Sequence, residues 1–189
     1  MLFIVLLILS FPLSYKQAVN YLAEGEFKKA DSLFKVAIFE AEESEKNDIF
    51  LHLELLIEYG EHPDILINYG KIENAILNQE YDKAIDEWEN TPKNFRQSRP
   101  GLYLKALLLE AKEDHLNSAK VFEQIGKQKG PVFSAISLLK AALIYNKKLK
   151  NTEKGKQLLI ELITKYPQSP YADIARGYLE EEVKTENSN

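Results

Sequence analysis

The sequence predicts an all-α chain of antiparallel helix pairs stacked as a solenoid, and three observations carry that expectation. Apolar residues recur at helical spacing through most of the 189 residues. A similar unit returns along the chain, with slots 35 and then 36 residues apart in the second half. The stretch LLIELITKYPQSPYADIARGYLEE, residues 158–181, reads as a helix end, a proline stop and a new helix start, the seam between two units.

From the N-terminus, residues 2–9 are an unbroken apolar run, followed by Ser10 and Pro12. The run suits the hydrophobic region of a secretory leader and is far too short to span a bilayer. Residues 1–14 are therefore expected to be a signal peptide or apolar N-terminal segment, with maturation after Ser14. The alternatives are a buried capping helix or a retained anchor, and membrane contact is expected only through this segment. Residues 15–181 are expected to form one repeat domain, followed by a polar, fraying tail at 182–189.

The first repeat reads AEGEFKKADSLFKVAI, residues 23–38, and the second LNQEYDKAIDEWENTP, residues 77–92. Both have a polar turn, an aromatic (Phe27, Tyr81), alanine three residues on (Ala30, Ala84) and an aromatic four further (Phe34, Trp88). Those two alanines lie 54 residues apart, so an additional helix or irregular pair is expected between them. There, Leu51, Leu53, Leu55 and Ile57 alternate as in a strand. The apolar span 49–59 is long for a strand and lies among helices, so it is read as helix. A third copy places Leu116 and Ala119 equivalently, with Phe122 one residue early, and a fourth has Gly155 and Leu159 in the two slots.

Each slot has a cause. A small residue lets the second helix approach the first, and the large residue one turn on fills the space between units. Gly25 suits a turn that needs positive φ. At the last seam, Leu158, Leu159, Leu162, Ile163 and Tyr166 form one helical stripe. Pro167 closes that helix, Ser169 caps the next, and Pro170 occupies its first position.

This turn–aromatic–x-x–Ala–x-x-x–aromatic pattern, at a period near 34, resembles the tetratricopeptide repeat over roughly residues 13–181. The seam KYPQSPYADIA is similar to the bacterial cell-envelope branch of that family, the Tol–Pal coordinator and outer-membrane-assembly D-subunit type. The family's tryptophan near the start of each first helix is missing from every copy. The resemblance implies a right-handed solenoid acting as a non-catalytic protein–protein scaffold in a periplasmic assembly. The alternatives are a self-assembling repeat protein with acidic and basic ends, forming homo-oligomers, and a cytosolic adaptor. The carboxylate clamp of some such repeats is absent, with Leu104, Leu108, Tyr15 and Val19 at its places.

Composition narrows the chemistry. There are no cysteines, which excludes disulfides, thiolate sites and the lipidated cysteine of a lipoprotein. His52, His62 and His115 lack ligand spacing and read as surface or turn residues, so neither a metal nor a cofactor is expected. No phosphate loop or nucleophile elbow occurs, and no enzyme activity or small-molecule substrate is expected. Residues 1–92 carry 7 Lys/Arg against 18 Asp/Glu, and residues 93–189 carry 17 against 11. The overall balance of −5 argues against nucleic acid.

The expected partner is a protein or peptide taken in a concave groove. Arg96 and Arg99, in a proline-bounded linker with Lys93, would meet an acidic segment, as would Lys147, Lys148 and Arg176. Tyr103, Tyr145, Tyr171 and Tyr178, on first helices, would supply aromatic anchors.

Overall fold

The computed structural model describes residues 11–128, 130 and 133–186. The apolar run at residues 2–9 lies outside the described residues. Eleven helices and no strand occur among the described residues, the all-α helical-repeat fold that the periodicity predicts.

The first hairpin pairs α1 (Leu13–Ala23) with α2 (Phe27–Glu40), joined through Gly25 at φ 79°. The additional helix expected in the long interval is α3 (Glu43–Glu58), which includes the ambiguous alternating segment. A reciprocal capping box starts it, Glu42 with Glu45 three residues on. The second pair is α4 (Pro63–Leu77), with proline in its first turn, and α5 (Tyr81–Asn90). Next come a short α6 (Lys93–Gln97) and α7 (Arg99–Ala111). The linker expected to hold Lys93, Arg96 and Arg99 is thus helical. Proline is tolerated at a helix start, so Pro92 and Pro100 open these helices rather than separating them.

The second half contains α8 (His115–Gly126), α9 (Ser134–Lys147), α10 (Thr152–Lys165) and α11 (Pro170–Glu186). The predicted seam is seen in detail: α10 stops before Pro167, and the Tyr171 N–H donates to Ser169 Oγ at 3.3 Å. Helix α11 reaches Glu186, into the segment expected to fray, where Glu and Lys are good helix formers.

The chain divides between Glu113 and Asp114 into two compact units. In the first, α1 packs on α2 and α4, α4 on α5 and α7, and α2 on α3. In the second, α9 lies against both α8 and α10, and α11 against α10 and α9.

The small-residue slots of the repeat are buried at Ala30, Ala84, Ala119 and Gly155. Gly155 stands where the others have alanine because a Cβ would run into the Asn146 side chain of α9. Ala119 is fully enclosed, so Ala119→Leu is expected to lower stability by roughly 1–3 kcal/mol through overpacking. An unchanged far-UV circular dichroism melting midpoint would show the repeat register to be misplaced.

Candidate functional site

Inside the first unit, α1, α3 and α4 bring together three polar side chains that lie far apart in the chain. Tyr15 donates its hydroxyl to Glu73 Oε1 at 2.9 Å. His52 Nε2 is 2.7 Å from Glu73 Oε2, and its Nδ1 is 2.7 Å from the Asp48 carbonyl of its own helix. Charged His52 would donate from both ring nitrogens, one to the carbonyl and one to the Glu73 carboxylate, so this setting favours the imidazolium. Aromatic rings enclose the pair. Phe11 stacks on Tyr15 at 4.3 Å, Phe34 lies 4.9 Å from the His52 ring, and Tyr69 lies 5.7 Å from it.

His52 is 2 % exposed, which corrects its reading as a surface or turn residue. The physical reason is helical spacing: His52 falls on the inward stripe of α3 together with Ile49 and Leu55. Burial opposes charging the ring, but the Glu73 carboxylate and the two hydrogen bonds outweigh it, and its pKa is raised. Burial, and then the charge of Glu73, hold the Tyr15 phenol well above its ordinary range. A cluster so enclosed cannot meet a substrate. Its work is to fasten the additional helix α3 to α1 and α4.

The second unit holds another polar cluster. Glu123 of α8 meets Lys154 of α10 at 3.0 Å and Lys127 at 3.7 Å. Tyr145 of α9 is pushed up to about 12 by burial and by its hydrogen bond to Glu123. Burial raises the Glu123 carboxyl, yet the hydrogen bonds from Tyr145 and Lys154 and the lysine charges leave it below its ordinary value. Next to this cluster, Lys147 Nζ donates to the Tyr178 hydroxyl at 3.3 Å and lies 4.9 Å from its ring centre.

The residues proposed as partner contacts thus fall into three groups. Tyr103 and Tyr145 are buried, where side chains serve packing first. Lys147 and Lys148 are exposed at the end of α9, and Tyr171, Arg176 and Tyr178 are half-buried on α11. Arg176 pairs with Asp173 at 2.5 Å and donates to the Pro167 carbonyl. In the first unit, Arg96 donates to the Glu89 carbonyl at 3.0 Å and lies 5.9 Å from the Trp88 ring centre.

Arg99 is partly enclosed and bonds Glu58 at the end of α3. Reversing the charge at Arg99 is therefore expected to lower the melting temperature, since the new carboxylate would face Glu58.

Neither polar cluster could be read from spacing. Tyr15, His52 and Glu73 are separated by 37 and 21 residues, so no helical periodicity links them. No neighbour of His52 in the sequence signals the pairing, because its carboxylate partner sits on another helix.

Residues 137–169 match the family model of the tetratricopeptide repeat, a span from within α9, through α10, to the cap of α11. The all-helical paired architecture and this match together support a tetratricopeptide-repeat protein, a class whose members bind protein partners. No curated protein and no solved structure matches the chain. Among the described residues, no group of three or more His, Asp or Glu side chains could hold a metal ion. No described helix is long and apolar enough to cross a membrane.

Proposed function

We propose that this chain is a non-catalytic adaptor that holds a protein partner within a bacterial cell-envelope assembly. The observation that carries the reading is the matched repeat with its surroundings. Exposed Lys147 stands beside the half-buried Tyr178, and exposed Lys148 follows it in the chain at the end of a packed helix. Ammonium groups beside an amphipathic aromatic suit an acidic peptide segment, which the tyrosine would anchor and the lysines orient. The seam at KYPQSPYADIA supports the envelope setting by its resemblance.

Charge reversal at Lys147 and Lys148, with Arg96→Glu in parallel, should weaken capture of an acidic partner segment by more than any shift in melting temperature accounts for. Unchanged capture by all three variants would remove the basic surface from the reading.

Export is part of the same proposal, and the folded chain bears on where maturation would fall. Ser14 lies inside α1, and its hydroxyl donates to Glu40 at 2.5 Å. Phe11 is packed on Tyr15. Cleavage after Ser14 would discard both contacts, whereas a mature start before Phe11 would keep them. Intact mass and N-terminal sequence of the protein from an envelope fraction test this. An intact Met1 in the cytosol would favour the cytosolic adaptor.

Self-assembly has one observation of its own. The unit ending at Glu113 carries 12 Lys/Arg against 20 Asp/Glu, and the unit after it 12 against 9. A mass in solution that rises with concentration and falls as salt is added would favour it.

A further inference from the structure

We propose that the outward side of α2 and α3 is a docking surface for a basic amphipathic helix of a partner protein. This rests on the protein-interaction reading above, but places a second surface on the first unit and gives it the opposite charge.

Four of the large apolar side chains left exposed lie between residues 36 and 57. They are Phe39 (90 %), Ile57 (83 %), Phe50 (47 %) and Val36 (44 %). Single exposed apolar residues are ordinary on any protein. Val36 and Phe39 lie on α2 and Phe50 and Ile57 on α3, two helices packed on each other. Phe50, half-exposed Leu53 and Ile57 stand at offsets 0, 3 and 7, an apolar stripe along two turns. The opposite side of α3 is already used by Ile49, His52 and Leu55 in the core. Helix α3 is therefore apolar on two sides, and the inward stripe accounts for only one of them. A stripe at helical spacing offers ridges and grooves to another helix.

Charge selects the kind of helix. Between residues 36 and 61, one lysine, Lys46, stands among eight carboxylates. Glu45 is buried in the cap and Glu58 is engaged by Arg99, but Glu42, Glu54 and Glu61 are exposed. Glu54 sits within the stripe, between Phe50 and Ile57. Burial, and then the charge of Glu58, raise its carboxyl above the ordinary value, so a cation brought to it would be favoured. Lysines or arginines flanking an apolar seam would meet these carboxylates, whereas nucleic acid and anionic lipid would be repelled.

The probe is a fluorescent helical leucine–lysine peptide, titrated by anisotropy against the full chain at physiological salt. The combined Phe50→Ser and Ile57→Ser variant should bind at least about tenfold more weakly. Ile160→Ser, an exposed apolar position of α10, should bind as the unaltered chain does. Both changed residues of α3 face outward, and unchanged circular dichroism and Trp88 emission would show that the fold is kept. Equal binding by the α3 variant would overturn the proposal. So would equal binding of a peptide with glutamine in place of leucine, because charge alone would then explain it. A dimer in light scattering that Ile57→Ser converts to monomer would overturn it in favour of a second copy on this face. Failure here with acidic-segment capture intact would leave the adaptor reading standing.

Discussion

Replacing His52 with leucine is expected to destabilise the first unit by about 3–5 kcal/mol, the usual cost of removing one member of a buried ion pair. The variant leaves Glu73 with the Tyr15 hydroxyl but without the cation against it, in a setting closed by Phe11, Phe34 and Tyr69. Trp88 is the one tryptophan and belongs to this unit, so urea titration followed by its emission reads the effect directly. The pair need not be net stabilising for the loss to be large. Changing Glu73 to leucine as well should recover much of the stability, because the orphaned charge is then gone. If the single and double variants were equally destabilised, packing and not charge would explain the loss.

The same pair fixes a pH dependence. The His52 pKa is raised in the folded chain, so its stabilising contribution is complete below the ordinary value of 6.5. It is lost as pH rises through the higher folded value. The raised Tyr15 phenol acts in the same sense in the more alkaline range, above its ordinary 10.0. Stability of the unaltered chain should therefore fall as pH increases from about 6.5. The His52→Leu variant should lose the fall that begins above 6.5 and keep only the alkaline one.

Gly70→Ala is expected to cost roughly 1–3 kcal/mol, against the direction that helix propensity alone would give. Alanine in mid-helix is favoured over glycine by about 1 kcal/mol. At Gly70, however, the added Cβ would sit 2.5 Å from the Ala23 nitrogen and 2.9 Å from its Cα, at the end of α1. Those are backbone atoms, which no rotamer change can move aside. Relief would need α1 and α4 to separate, opening the core around Tyr15 and Leu22, so the clash prevails. A urea midpoint in the variant equal to or above that of the unaltered chain would show that the two helices yield easily.

How much was legible depends on the range of the interaction. The closing of α10 before Pro167 and the opening of α11 at Pro170 are local steric facts, and the sequence displays them. The 54-residue interval announced an extra element, and α3 occupies it. The residues around Pro92 and Pro100 misled, because proline breaks a helix only in its interior and both sit at starts.

The sequence by itself determined the all-α class, the helix ends at the last seam and the slots that let neighbouring helices approach. These depend on periodicity, capping and side-chain size over a few residues. Only the tertiary structure decided that His52 is a buried partner of Glu73, that Arg99 is held by Glu58, and that Gly70 is a contact point. Each depends on residues more than 20 positions distant in the chain, brought together by the packing of one helix on another.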